Sequence, residues 1–363
     1  MKKKFIFIVQ GEGRGHMTQA VTLFDLLQEK GHEIPCILIG STGNRPIPDF
    51  IKNKFGERVI QIQTPCFQTD SHQRKVNIPA TVLFFLGNFF TYVKSIRTIH
   101  SMVKKHNPDV IINFFELLGG LYFRLYSPSC KCISIAHQYI YLSPAFEFPP
   151  GNFFHKMTVK FFTRLTTSTR ALNLALSFYP LKENKRGNVK IMPPLLRKEI
   201  FSLKPVKENL IVIYLVNPGY LQDLLKQVPA YPSYRFICFL HLNAVPDDIR
   251  KSLPPNLTLH EISDKEFLDA LRRSSGFLST AGFESICESI FLQKPFMAIP
   301  IEGHFEQYCN SIDASRTGYG IPGRSFNLFR FMYFCHTFEA ELNGYHSWVK
   351  NAPELFYEEI IKY

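Results

Sequence analysis

The 363-residue sequence has one tryptophan, Trp348, and its eight cysteines, at 36, 66, 130, 132, 238, 287, 309 and 335, form no CxxC pair and no zinc-ligand spacing. Structural zinc sites and disulfide frameworks depend on such spacing, so the thiols read as scattered, reduced core residues of a cytoplasmic protein, and no metal site is expected. Long hydrophobic runs are also missing. After Met1-Lys2-Lys3-Lys4 only Phe5 to Val9 is apolar, too short for the core of a signal peptide. No sequence repeat of the 20-to-50-residue kind and no long low-complexity tract is present. With 45% hydrophobic and 20% charged residues and a mean hydropathy of -0.04, the chain is neither a disordered acidic tail nor a membrane bundle. Acid is in short supply: 42 Lys and Arg face 30 Asp and Glu, a net charge of +12. That balance favours anionic partners, among them nucleotides, phospholipid surfaces and nucleic acid. No zinc finger, RNP-like aromatic motif or helix-turn-helix supports nucleic acid, which is not an expected partner.

At about 100 to 200 residues per domain, the length fits two domains. Phe5 to Val9 reads as a buried strand, Gly11-Glu12-Gly13-Arg14-Gly15 as a loop, and Met17, Ala20, Val21, Phe24 and Leu27 as a helix ending before Gly31; Ile34 to Ile39 completes a βαβ unit. Val110 to Phe115 and Cys132 to Ala136 are further strands, with Glu116 and His137 at their ends. A Pro- and Lys-rich stretch from 180 to 208 places a boundary near 200, giving domains 1–200 and 201–363. In the second half Leu210 to Val216, Arg235 to Leu240, Leu257 to His260, Phe277 to Thr280 and Phe296 to Pro300 are strand-like. The expected fold class is α/β, two Rossmann-like domains facing each other across a cleft, with C-terminal helices packing back on the first domain. Ligands of open parallel sheets bind beyond the carboxyl ends of the strands.

Gly11, Gly13 and Gly15 let backbone amides and a helix end approach an anion or a sugar. A dinucleotide fingerprint would need glycine in place of His16 and an acidic residue where Gly40 and Ser41 stand, so NAD is disfavoured and no cofactor is expected. His16, with an imidazole near its ordinary pKa, can take a proton from a hydroxyl, or can simply cap or pack the loop. Glu116 is a second candidate base or acceptor ligand, and His137 a third.

Thr280-Ala281-Gly282-Phe283-Glu284-Ser285 opens a helix whose N-terminal amides suit a pyrophosphate. Ile286, Cys287, Ile290 and Phe291 form one face, and Glu284 and Glu288, four residues apart, share another. Glu288 can accept both hydroxyls of a ribose, or can belong to a solvated helix face. Gly303 to Asn310 gathers polar groups beyond a strand end; taken alone, it is a polar loop opening a helix.

The segment STAGFESICESIFLQKPFMAIPIEGHFEQYCN, Ser279 to Asn310, resembles the donor-nucleotide signature of GT-B glycosyltransferases of the UDP-glycosyltransferase type and of the bacterial peptidoglycan N-acetylglucosaminyltransferase. Gly11 to His16 resembles the glycine loop ending in Gly-His of the same families, and His137-Gln138 resembles part of an acceptor-domain segment. Gln293 departs from the pattern where glycine is usual, and Glu306 where aspartate is common. The resemblance implies a nucleotide-sugar donor, UDP-linked, which is a substrate and not a cofactor. It implies donor nucleotide contacts at Asn217, Gly219, Ile262, Thr280, Gly282, Phe283, Glu284, Ser285 and Glu288, and sugar contacts at Glu306, Gln307 and Asn310. The acceptor loop would comprise Gly13, Gly15 and His137, with His16 as base. Retaining relatives often carry two glutamates eight apart, but Thr280 and Leu292 stand at the corresponding positions, which implies an inverting, metal-independent transfer.

Val82 to Val93, followed by Lys94 and Arg97, and Phe153 to Arg164 mix phenylalanines with cations. They form either the core of the first domain or an interfacial contact with an anionic membrane at the inner face of the cell membrane. If exposed, they imply a lipid-linked acceptor or cell-envelope glycan precursor. A sugar-nucleotide 2-epimerase would share the architecture and differ in its product.

Overall fold

A computed structural model describes residues 2–43, 46–65, 78–151, 153–181, 188–216, 218–341 and 344–363; the expectations for Cys66 and Asn217 fall outside these. The chain forms two compact units. Among the described residues, the first comprises those through Arg197 together with Ser347–Tyr363, and the second Lys198–His346.

In the first unit the run Phe5 to Val9 is fully buried, because apolar side chains on both faces can be satisfied only in the middle of a covered sheet. It lies in β1 (Lys4–Gln10), accompanied by β2 (Glu33–Ser41), β3 (Val59–Gln63), β4 (Val110–Phe114), β5 (Lys131–Ala136), β6 (Leu172–Leu176) and β7 (Val189–Met192). All pair in parallel in the order β3-β2-β1-β4-β5-β6-β7. The helices are α1 (Gly15–Glu29), α2 (Asp49–Phe55), α3 (Ile78–Gly87), α4 (Phe89–His106), α5 (Leu117–Tyr126) and α6 (Phe153–Leu165). Right-handed crossovers put α1 and α2 on one face and the helices α4 to α6 on the other. The order reverses between β1 and β4, so their carboxyl ends splay apart and leave a crevice.

The second unit repeats this plan with β8 (Leu210–Tyr214), β9 (Arg235–Phe239), β10 (Leu257–His260), β11 (Gly276–Ser279), β12 (Phe296–Ala298) and β13 (Gly320–Pro322), parallel in the order β10-β9-β8-β11-β12-β13. Its helices are α7 (Leu221–Gln227), α8 (Asp247–Lys251), α9 (Asp264–Arg273), α10 (Phe283–Phe291), α11 (Phe305–Ser315) and α12 (Leu328–Thr337). The reversal falls between β8 and β11. The α/β class and the paired Rossmann-like sheets are those expected. Several strands end earlier than the sequence suggests, β4 at Phe114 and β11 at Ser279, because the next residues turn into left-handed conformations: Phe115 has φ 59° and Ala281 φ 55°.

After α13 (Tyr345–Lys350), the last helix α14 (Ala352–Lys362) packs on α1. Phe356 and Ile360 are fully buried, each worth roughly 1.5–3 kcal/mol by area. Lys30 Nζ meets Glu354 at 3.2 Å, Lys190 pairs with Glu359, and Tyr363 Oη donates to the Arg170 carbonyl at 2.6 Å. The exposed ion pairs add little beside the apolar burial. Gln293 takes φ 56° just after α10, the conformation for which glycine is preferred at a helix end.

Candidate active site

The carboxyl ends of β1, β2 and β4 gather one cluster. Asn113, buried in β4, donates from its amide to the Glu116 carbonyl at 2.9 Å, and its Oδ1 accepts from Glu116 N at 3.0 Å. This clasp closes the tight turn that forces Phe115 to positive φ, a conformation costing about 1–3 kcal/mol. The Phe115 ring is held edge-on by Tyr139 at 5.6 Å, and the His16 imidazole stacks on it at 5.6 Å with 24° between planes.

His16 lies in the first turn of α1, half-buried, with Nδ1 3.4 Å from Gln19 Oε1. An amide oxygen only accepts, so Nδ1 carries the proton and Nε2 keeps its lone pair. Burial pushes the imidazole down to about 4, against a smaller upward pull from Gln19, in place of the near-ordinary value the sequence suggested. The ring is therefore neutral at physiological pH.

Glu116 caps α5 with its own carboxylate: Oε1 accepts from Leu118 N at 3.1 Å and from Thr64 Oγ1, while the buried Oε2 has no hydrogen-bond partner among the described residues. The carboxyl group lies over Gly40, where a Cβ would approach Oε2 to 2.1 Å, so only glycine fits at that point of β2. Burial, and secondarily the neighbouring Glu12 charge, raise Glu116 to about 7 despite the opposing hydrogen bonds. Thr42 Oγ1 in turn donates to Glu12 at 2.5 Å.

Two expectations are corrected here. The glycine loop is not an open anion cradle: Gly11 N–H donates to the Gly40 carbonyl at 2.7 Å, and the carboxylate of Glu12 stands in the loop itself. Gly13, at φ 82°, bends the loop, and Gly15 opens α1. His137 is turned into the core, where Nδ1 donates to the Leu176 carbonyl at 2.8 Å and the ring lies against Phe178, so it ties β5 to β6 and does not line the loop.

In the second unit Gly282 caps α10 with no side-chain hydrogen bond, and it is exposed. Its φ of -73° needs no glycine, and an added Cβ would meet only Ser285 Oγ, at 3.7 Å. The N-cap residue thus contributes no side chain to the first amides of α10. Ser285 Oγ is 3.4 Å from the Gly282 carbonyl and 3.5 Å from Ser279 Oγ, and the buried Thr280 Oγ1 has no hydrogen-bond partner among the described residues. Phe283 is buried at the first helical position, while Glu284 is half-buried.

Glu288 is 1 % exposed, which excludes the solvated-face reading. Both glutamates lie near Cys287, whose thiol is raised by burial first and then by their charges. Asn310 is buried and donates to the Ala281 carbonyl at 3.2 Å, so it holds the strained turn itself. Gln307 Oε1 accepts from Ile301 N at 2.8 Å, which fixes the amide orientation and presents its NH2 group as a donor. Glu306 stands in the first turn of α11, Ile262 just beyond β10, and Gly219 in the turn after β8, on the carboxyl-end side of the sheet. Phe115, Gln19, Thr64 and Ala281 were not singled out from the sequence. Gln19, three residues after His16 on a helix, was open to discovery by spacing.

Two tandem Rossmann-like units, each with a strand-to-helix turn at its switch point, are the GT-B architecture. The chain belongs to glycosyl transferase family 1, whose family model matches residues 3–334. An uncharacterized glycosyltransferase of Methanosarcina mazei is 22% identical over 339 residues, covering 87% of this chain and 84% of that protein. CalG4, the calicheamicin glycosyltransferase, has a similar fold, with a TM-score of 0.65, 14% identity and coverage of 100% of this chain and 98% of that one. The spinosyn rhamnosyltransferase SpnG, solved with thymidine diphosphate, gives 0.61 at 13% identity, covering 99% and 100%.

Proposed function

We propose that this glycosyltransferase moves a sugar from a nucleotide-diphosphate donor, UDP-linked, to a hydroxyl acceptor carried on a lipid or a cell-envelope glycan precursor, with inversion and without a metal ion, at the cytoplasmic face. The exposed glycine N-cap of α10, Gly282, with no side chain of its own over the helix start, carries this reading. Amides at a helix start supply partial positive charge where a leaving diphosphate gains negative charge, the role a metal ion plays in other transferases. SpnG, of similar fold, binds a nucleoside diphosphate. Glu288 would hold the ribose, and the Gln307 amide, with Glu306 beside it, would orient the sugar. His16 Nε2 would take the proton of the attacking hydroxyl.

A base already neutral well below pH 6 keeps working in mild acid. The acid limb of kcat/KM is therefore expected near pH 4, not 6.5. A thermal-shift screen with UDP-, TDP- and GDP-sugars identifies the donor through the stability that a ligand of the folded state adds. With that donor and an acceptor, His16→Ala should lower transfer by about 10²- to 10⁴-fold while leaving donor affinity unchanged. Full turnover by that variant would end the assignment of His16, and product analysis separates transfer from epimerisation.

A further inference from the structure

The phenylalanine-rich helices of the first unit are exposed. On α3 and the start of α4, Leu83, Leu86 and Phe90 are 70%, 63% and 85% exposed, at spacings of three and four residues that continue into exposed Lys94 and Arg97. On α6, Phe154, Met157 and Phe161 repeat the spacing, with Phe154 73% exposed, and continue into exposed Arg164. On α6 this spacing places the trio along one helix face, while Leu83 and Leu86 share a face of α3 and Phe90 opens α4 in line with Lys94 and Arg97. Each helix also begins with an edge-to-face aromatic pair, Phe89–Phe90 and Phe153–Phe154.

Charge selects the occupant. The helices α3 to α6 carry eight Lys and Arg, four on α4, one on α5 and three on α6, and no Asp or Glu. The opposite helix layer of the same unit is mixed, with Lys54 paired to Asp25 and Lys30 to Glu354. α4 packs on α5 and α5 on α6, so the two apolar stripes belong to one helix layer. No helix among the described residues is long and apolar enough to cross a membrane. Apolar side chains that grade into cations on helices without Asp or Glu fit a bilayer interface, where rings enter the acyl boundary and cations meet anionic headgroups.

We infer that the α3–α6 layer of the first unit docks on an anionic lipid bilayer, with Phe90 and Phe154 as the principal anchors and Lys94, Arg97 and Arg164 on the headgroups. This deepens the reading of a lipid-linked acceptor and rests on it; binding is measured without donor or acceptor, so its failure leaves transfer to soluble acceptors, assayed separately, as the test of that reading.

The test is cosedimentation of the full chain with vesicles of phosphatidylcholine alone or with about 30% phosphatidylglycerol, at low and high salt. Several-fold preference for anionic vesicles, lost at high salt, is expected. Phe90→Glu and Phe154→Glu should each lower partitioning by about tenfold or more with an unchanged melting temperature. Phe329→Glu on α12, an equally exposed ring outside this layer, should have no effect. Absence of wild-type binding to anionic vesicles, or equal losses for Phe329→Glu and Phe90→Glu, overturns the proposal. So does a wild-type dimer that Phe90→Glu dissociates while vesicle binding is unaltered, since the stripe would then cover a second copy.

Discussion

Two strand-to-helix turns occupy the same topological place in the two units, after β4 and after β11, and in both the residue before the N-cap is a non-glycine at positive φ, Phe115 and Ala281. They part at the next cap. Glu116 folds its own carboxylate onto Leu118 N and sits beside Glu12, whereas Gly282 has no side chain with which to cap α10. A helix start whose amide is already taken by a carboxyl group has less to offer an anion than one whose N-cap has no side chain. On the proposed function the first turn would take a neutral hydroxyl compound and the second a diphosphate, so that one backbone design would serve two chemistries through a single side chain.

The sharpest way to break that contrast is to give the second turn the first one's plug. Gly282→Asp places a good capping residue at compatible dihedrals, with no atom nearer to the new Cβ than Ser285 Oγ at 3.7 Å. Folding should be unaffected or slightly improved. Affinity for the nucleoside diphosphate, measured by calorimetry, should fall about 100-fold, some 2.7 kcal/mol. Unaltered affinity would place the diphosphate elsewhere.

The long periodic elements were legible because burial on both faces writes continuous apolar runs: β1, β2 and β5 match their runs to within a residue or two. β6, with buried Asn173 answered by Thr167 Oγ1 at 2.6 Å, lacks such a run, and β13 spans only Gly320–Pro322. The glycine signal for left-handed turns was absent at Phe115, Ala281 and Gln293, so these turns were invisible. His16 and Gly282 could be placed at helix starts, but the buried pairing of Thr64 with Glu116 depends on β3, a strand the sequence did not reveal. The phenylalanines were ambiguous because residue type predicts burial, while the cue to exposure was the missing acid around them.

A second test asks whether the two strained turns are held by the same forces. Phe115→Gly relieves about 1–2 kcal/mol of left-handed strain but removes a buried ring worth roughly 3–5 kcal/mol, for a net loss of about 2 kcal/mol. Ala281→Gly gains the same relief and loses only a buried methyl, roughly 0.8 kcal/mol, plus unfolded-chain entropy of about 0.4–1 kcal/mol. Its stability in urea should stay within about 1 kcal/mol of wild type. Equal losses would mean that the ring contacts of Phe115 do not hold its turn.

The plug in the first turn should also show in the pH dependence of stability. Glu116 titrates near 7 when folded against 4.5 as its ordinary value, so between those limits the folded state binds more protons than the unfolded chain. Stability then falls as pH rises through that window and levels off above it, by at most about 3 kcal/mol for a shift of this size. Glu116→Gln keeps an oxygen for Thr64 and Leu118 N but cannot ionise. At pH 8 it should be more stable than wild type by about 1 kcal/mol, roughly 2–4 °C in melting temperature, and at pH 5 the gain should vanish. A gain that is equal at both pH values would assign the effect to packing over Gly40, and a loss at pH 8 would mean that the charged carboxylate itself holds the turn together.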